Sequence, residues 1–377
     1  MASVAQRVLV VGGGFSGMSA AIELRKRGVE VDLVEIDPQW RNYGAGISLG
    51  GAALRAFRQL GILDEFLAQG SATDDVEIRL PHGPVVAMLP TPRIAGPDVP
   101  GGGAIMRPVL ARILADATRR AGVNVRLGTT FTVIDRRPEH VEVSFTSGQR
   151  DRYDLVIGAD GLHSKVRQTV FPEAPKPRYT GQAVWRAVVT KSPDIKTVTM
   201  WPGPTVKPGV NPVSKTEMYV FITEPRPTSG EHIAPEELAP RMRALLDGFP
   251  DPVLQSVRAQ LGAESQIVFR PIDSLLLAQP WFRDRVVLIG DTVHATTPHL
   301  AAGACIGIED ALVLAEELER ASDVEGALVA FQDRRWNRCR MVVENSARLG
   351  ELEISGGDKD EHSRLIRESL MALAQTI

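Results

Sequence analysis

The chain has 377 residues, 44% of them hydrophobic and 24% charged, with a net charge of −3. That composition suits a globular protein with a large core and excludes wholesale disorder. The near-neutral balance leaves no electrostatic footprint for nucleic acid or an anionic membrane, and two cysteines, Cys305 and Cys339, are too few for a disulfide framework and lack metal-ligand spacing.

The first apolar run, RVLVV at 7–11, reads as a strand ended by Gly12, Gly13 and Gly14. These glycines make it too short and broken for a signal peptide or a membrane span, so a reduced, cytoplasmic setting is expected. MSAAIELRKRG follows with helical spacing to Gly28, and VEVDLVE is a second strand ending at Glu35. Strand, helix and strand in about thirty residues open a parallel sheet. GGGFSG at 12–17 matches G-x-G-x-x-G through Gly12, Gly14 and Gly17, with Phe15 and Ser16 starting the helix. Gly12 permits the tight turn, Gly14 lets backbone approach a pyrophosphate, and Gly17 lets helix and strand pack closely. Glu35 is placed to accept from ribose hydroxyls, and its charge disfavours a 2′-phosphate. FAD and NAD both satisfy this motif.

Residues 51–69 have the spacing of one helix, and 71–104 are Pro- and Gly-rich with short strand pieces such as VEIRL. A helix runs from Arg107, then strands VNVRLG, FTVID and VEVSF, then a strand, turn and helix in DLVIGADGLHSKVRQTV. Between 180 and 275 the segments AVWRAVV, TVTMW, MYVFITE and IVFR alternate as half-buried antiparallel strands do, interrupted by the helix PEELAPRMRALLDGF. RVVLIGD resumes the parallel style, and 325–374 reads as a long amphipathic helix and a shorter one. The chain leaves one domain and returns to it. We divide it into cofactor-domain parts at 1–72, 105–179 and 276–322, a substrate-domain excursion at 73–104, a substrate sheet at 180–275 and C-terminal helices at 323–377.

GDTVHATTPHLAAGACIGIED at 290–310 holds two His among acids and small residues. A metal site is not expected, because Asp291, His294 and His299 form no i, i+4 pair and no Cys completes a set.

GADGLHSKVR at 158–167 and GDTVHATTP at 290–298, taken with GGGFSG, resemble the three fingerprints of the aromatic-ring flavoprotein monooxygenases, the group with the p-hydroxybenzoate hydroxylase fold. The chain looks close to the salicylate and 6-hydroxynicotinate hydroxylase-like members. The resemblance spans most of 5–320 and includes GAGISL at 44–49 and the helix opening MRPVLARIL at 106. It implies an α/β fold: a Rossmann-like FAD-binding domain of the GR2 type, interleaved with a mostly antiparallel β-sheet substrate domain, and C-terminal helices. FAD is then the cofactor. Gly12, Gly14, Phe15, Ser16, Gly17, Glu35 and Ile36 serve its ADP half, and Phe131 packs near adenine. Asp160 and Gly161 lie near the pyrophosphate, with Arg167 closing the next helix. Arg41, Gly46 and Arg107 adjoin the linker, Gly290 and Asp291 bind the ribityl chain, and Pro298, Gly303 and Ala304 flank the flavin.

The resemblance also implies the reaction. NADH or NADPH, bound briefly in the absence of a second G-x-G-x-x-G, reduces FAD; O₂ then gives a C(4a)-hydroperoxide whose distal oxygen attacks an electron-rich ring, phenolic or hydroxypyridine-like. The candidate substrate residues are Ser48, Trp185, Arg186, Trp201, Tyr219 and Phe221, with Arg186 a partner for a substrate carboxylate. Tyr219, Pro298 and His299 are the candidate catalytic residues, His299 for acid–base work. Two departures stand out. Ala301-Ala302-Gly303 replaces the family's Gly-Gln-Gly, and Ala301 lacks easy access to positive φ; Ser48 stands where some pyridine-ring hydroxylases have His. A same-fold reductase or epoxidase, or a non-catalytic flavin-binding protein, is the alternative; the Trp-x-Trp-x-Ile-Pro signature of halogenases is absent. A monomer or a homodimer is expected, the C-terminal helices packing internally or joining two copies.

Overall fold

The computed structural model describes residues 3–41, 44–230 and 232–377. Its first sheet has six strands in the order Phe282–Arg283, Val286–Leu288, Leu155–Gly158, Arg7–Val11, Glu30–Glu35 and Asn124–Leu127. All are parallel except the first, and the inner strands are buried on both faces, as their β-branched runs require. Helices Phe15–Lys26, Arg107–Arg120 and Gly303–Arg320 pack together over it. An antiparallel meander, 131–153, joins it through Tyr153, whose hydroxyl donates to the buried Asp32 carboxylate at 2.5 Å. The first sheet therefore draws strands from three separated stretches of chain.

The second sheet has seven strands: Val268–Ser274, Arg178–Thr190, Glu217–Pro225, Lys207–Pro212, Val198–Met200, Asp75–Arg79 and Val85–Pro90. Only the Val198–Met200 and Asp75–Arg79 pair is parallel. The 73–104 stretch thus lends its hairpin to this sheet, while Gly102–Met106 returns to pair with Gly46–Gly50 in a small three-stranded sheet. Alternation divides the larger sheet into two unlike faces. The far face carries Trp185, Ala187, Met218, Val220, Ile222 and Val210 against helices Pro235–Ala244 and Pro252–Gln260. The near face carries Arg186, Val188, Tyr219, Phe221 and Asn211 toward the Gly46–Gly50 strand.

Two expectations shift in detail. Residues 51–69 form two helices, because Gly61 takes φ +77° and ends Gly51–Leu60 with a left-handed cap. A second helix, Pro252–Gln260, follows the one expected near 235; Asp251 caps it, accepting from Val253 N at 2.7 Å. The C-terminal helix Val324–Ser355 is continuous for 32 residues and packs on Gly303–Arg320, and Lys359–Ala374 folds back on it. Among the described residues, no helix is long and apolar enough to cross a membrane.

Candidate active site

The glycine loop is shaped by contacts that leave no alternative at two positions. A Cβ on Gly12, at φ +109°, would lie 2.5 Å from Ala159 O, and one on Gly17 would lie 2.0 Å from Gly12 O. Nothing comes within 4 Å of where a Cβ on Gly14 would be, and helix Phe15–Lys26 has no side-chain cap there. Its first-turn N–H groups and the positive end of its dipole therefore face out over Gly14, as a diphosphate needs. Glu35 lies beside them, accepting from Gly13 N and Asp37 N at 2.8 Å each, with lone pairs left for ribose hydroxyls. Ile36 is largely exposed next to it, and Phe131 is buried close by, where Thr129 N donates to Glu35 O. Arg41 turns back onto Asp37, its Nε 3.0 Å from Oδ2.

Asp160 is an anchor within its own turn. Its carboxylate accepts from Ser164 Oγ and from the backbone N–H groups of Lys165 and Val166, which starts helix Lys165–Val170. Burial raises its carboxyl above the usual range against those hydrogen bonds. Gly161 N donates to Thr292 Oγ1 at 3.2 Å, and Arg167 Nη1 to Thr292 O at 2.7 Å, so the second and third motifs are tied to each other.

In the third motif Gly290 takes φ +64° and Asp291, exposed, starts a short helix. Ser16 Oγ nests against both Gly290 and Gly307, which brings the first motif to the third. Arg107 lies over the Phe15 ring at 5.0 Å and senses the charges of Asp291 and Arg186. Burial pulls its guanidinium down, Asp291 opposing and Arg186 adding to the pull. Pro298 is exposed on the loop. Ala301 adopts φ +48° despite its Cβ, at a cost of about 1–2 kcal/mol, and Gly303 and Ala304 then open helix Gly303–Arg320 with no side-chain cap. The substitution for the family's glycine thus preserves the left-handed turn.

Beneath this loop lies a buried ionic core that motif reading missed. Asp310 Oδ2 accepts from Gly290 N at 2.9 Å and from His294 Nε2 at 2.5 Å, and Oδ1 accepts from Arg335 Nε at 2.8 Å. Glu309 pairs with Arg335 and, through both oxygens, with Arg338. Burial drives the Asp310 carboxyl up, but the charges of His294 and Arg335 outweigh it and hold it at about 2. For His294, burial opposes the charge while Cys339 and Asp310 raise the imidazole well above its ordinary value. His294, Asp310 and Cys339 also have the composition of a metal site, their ligand atoms within 4.8 Å. This set differs from the Asp291–His294–His299 set weighed from sequence. Arg335, bonded to Asp310 and 3.5 Å from Cys339 Sγ, supplies the positive charge there.

The substrate candidates separate by strand parity. On the near face Arg186 Nε donates to Tyr219 Oη at 3.3 Å, the Tyr219 and Phe221 rings sit 5.4 Å apart, and Asn211 Nδ2 donates to Ser48 Oγ at 2.9 Å. Gly46 is required against Tyr219, whose Cβ lies 2.5 Å from where a Gly46 Cβ would be. Trp185 and Trp201 belong to the far face, contrary to the expectation that they line the substrate space. Their indoles donate to Glu224 Oε1 and Asp251 Oδ2, both at 2.9 Å, inside the apolar layer under the helices. Odd and even residues of a strand point oppositely, and both faces here are buried. His299 turns toward the C-terminal helix. Its Nδ1 lies 2.8 Å from Thr297 Oγ1, its Nε2 lies 3.3 Å from Glu353, and its ring covers Gly350. Burial lowers its pKa, Glu353 opposing, and among the described residues no hydrogen bond or ion pair joins it to Arg186 or Tyr219.

Residues 5–346 match the family model described as FAD binding domain. The chain belongs to that family. It is 30% identical to the putative FAD-dependent monooxygenase YetM of Bacillus subtilis, over 93% of this chain and 95% of that protein. It is 32% identical to the 2-heptyl-3-hydroxy-4(1H)-quinolone synthase of Pseudomonas aeruginosa, over 92% of this chain and 90% of the other. The crystal structure of Klebsiella pneumoniae HpxO with FAD and uric acid superimposes with a TM-score of 0.82 at 25% identity, covering 98% and 93% of the two chains. The protein is an FAD-dependent monooxygenase, an oxidoreductase built on the interleaved fold that its three motifs implied. The two uncapped helix starts, with Glu35 bonded to the Gly13 N–H and Asp291 exposed after Gly290, fit that cofactor.

Proposed function

We propose that this protein inserts one oxygen atom of O₂ into an electron-rich aromatic ring at the expense of NADH or NADPH, with the ring held between the flavin and the near face of the seven-stranded sheet. The observation that carries this reading is the Arg186–Tyr219 pair on the near face, beside Val188 and Phe221 and within electrostatic reach of Arg107. We divide the chain as read from sequence, with 180–275 the substrate-binding part.

FAD, when bound, supplies the two-electron reduction by the nicotinamide and the activation of O₂. The first-turn N–H groups over Gly14 hold its diphosphate, Glu35 its ribose and Asp291 its ribityl hydroxyls. The uncapped N–H groups at the start of helix Gly303–Arg320 would stabilise negative charge on the bound cofactor. On the substrate side, Arg186 pairs with an anionic substituent or a ring oxygen. Because Arg186 donates to Tyr219 Oη, the Tyr219 proton is directed elsewhere, to a ring hydroxyl or phenolate oxygen. Phe221 and Val188 exclude water from the reacting face, and Pro298 gives the loop a rigid turn. Proton handling by His299 runs through its partners Thr297 and Glu353. A cytoplasmic monomer or homodimer completes the reading.

The test is NADH and NADPH consumption by the FAD-loaded protein against hydroxylated benzoates, phenols and hydroxypyridines, with product mass analysis. A ring compound that accelerates consumption and gains one oxygen atom supports the hydroxylase. Oxidation that no aromatic compound accelerates, with a two-hydrogen mass gain in an alkene substrate, would favour the reductase instead.

A further inference from the structure

Position 13 is the first of three free positions in the G-x-G-x-x-G motif, yet it too is glycine. The structure supplies a reason: a Cβ there would lie 2.4 Å from Trp40 Nε1 and 3.1 Å from Glu35 Oε2. Trp40 Nε1 donates to Gly13 O at 2.8 Å, while Gly13 N donates to Glu35 Oε2 at 2.8 Å. The Gly13 residue is therefore gripped through both of its backbone polar groups, by the indole and by the ribose-facing carboxylate.

Trp40 is itself held in an unusual state. It takes φ +50°, a left-handed conformation that bulky residues rarely adopt and that the surroundings must enforce. A chain of contacts does so. Glu35 Oε1 accepts from Asp37 N, Asp37 O accepts from Trp40 N at 3.1 Å, and the Asp37 carboxylate accepts from Arg41 N and Nε. From the last turn of helix Arg107–Arg120, the Arg119 guanidinium covers the indole at 4.9 Å. A half-buried tryptophan is thus fastened across the gap between the diphosphate loop and the end of the second strand.

We propose that Trp40 is a positioning residue for the adenosine diphosphate half of FAD. Acting through Gly13 and Glu35, it sets the loop that receives the diphosphate and the carboxylate that receives the ribose, and the glycine at position 13 exists to admit it. The inference rests on assigning the 12–17 loop to the FAD diphosphate, and its test separates the two.

The experiment measures FAD binding to the apoprotein by quenching of flavin fluorescence, and ADP binding by competition, for wild type, Trp40→Phe, Gly13→Ala, Trp40→Ala and the Gly13→Ala/Trp40→Ala pair. Trp40→Phe keeps the ring but not the donor, and should weaken FAD and ADP alike by about fivefold, the worth of one ordinary hydrogen bond. NADH or NADPH oxidation should need about fivefold more added FAD to reach half its maximal rate. Gly13→Ala should weaken FAD by roughly tenfold through overpacking in wild type, and by much less when Trp40 is already Ala. Thermal unfolding of each apoprotein identifies a variant that fails to fold, and Trp40→Phe, which keeps the ring, tests the inference if the Trp40→Ala variants are unstable. Wild-type affinity in Trp40→Phe, or a loss for FAD that ADP does not share, overturns the role of Trp40. Failure of ADP to compete with FAD in the wild-type protein overturns the loop assignment and the inference with it.

Discussion

Behind the larger sheet, Trp201, Met218, Val220, Ile222, Met242 and Phe249 form a buried layer held by apolar area, with Asp251 satisfying one indole and capping one helix. Beneath the 290–303 loop, an equally buried layer is held by charge: Asp310 and Glu309 against His294, Arg335 and Arg338. The apolar layer tolerates small shifts, because its attraction is spread over area and has no direction. The ionic layer does not, since each buried charge must keep its partners at bonding distance. Asp310 also accepts the N–H of Gly290, the turn that aims Asp291. Directional bonding lies where the loop must be placed to a fraction of an ångström, and undirected packing lies where the sheet needs only a stiff back.

The largest effect should come from the ionic layer. Arg335→Ala leaves Asp310 and Glu309 short of their shared cation and should cost about 3–5 kcal/mol, read as a fall in melting temperature together with lost flavin. A variant that melts normally and stays fully yellow would break the comparison. Trp201→Ala should cost a similar or slightly smaller amount, about 3–5 kcal/mol, by opening a cavity in the apolar layer. Its surviving folded fraction should bind FAD normally; weaker FAD binding would mean that the two layers are not separable.

A pH series sharpens the contrast further. The Asp310 carboxyl titrates at about 2 in the folded protein and at 3.8 as a free group. A depressed carboxyl contributes stability that is complete above its unfolded value and is lost as pH falls through the folded one. The wild type should therefore lose an increment of stability between about pH 4 and 2, and Asp310→Asn, already destabilised, should lack that increment. Trp201→Ala should keep it. Equilibrium unfolding at stepped acid pH checks all three. The smallest stability effect belongs to the near face. Arg186→Ala removes one long hydrogen bond and should cost about 0.5–1 kcal/mol, while the KM for an anionic aromatic substrate rises by tenfold or more. An unchanged KM would remove Arg186 from the substrate site.

The cofactor side of this molecule was legible because a diphosphate constrains backbone, and backbone constraints surface as glycines. Gly12, Gly14 and Gly17, each beside a strand or helix end, are readable without any knowledge of what packs behind them. The substrate side was less so. Trp185 and Arg186 are neighbours on one strand, and with both faces of the sheet covered, alternation gives the period but not which parity faces the flavin. The two tryptophans looked like lining and are core. Glu309 and Asp310 gave no signal of a buried ionic core, since their partners Arg335 and Arg338 come from another helix. His299 looked like a base beside the flavin, yet its partner Glu353 lies on the C-terminal helix, beyond reach of any local pattern. The glycine at position 13 was an unread local signal: it exceeded what the motif required.

The order of strands in the first sheet also bears on how the protein is made. Val286–Leu288 pairs with Leu155–Gly158, but the main body of the larger sheet is synthesised between them. On a ribosome, the cofactor domain must wait with the Leu155–Gly158 edge unpaired while a second, slower antiparallel sheet emerges. Its last strand and the loop carrying Asp291 arrive together, so closing the sheet and completing the flavin floor become one event. Nascent chains stalled before residue 286 would present an apolar edge instead of a finished domain, and are natural clients for chaperones.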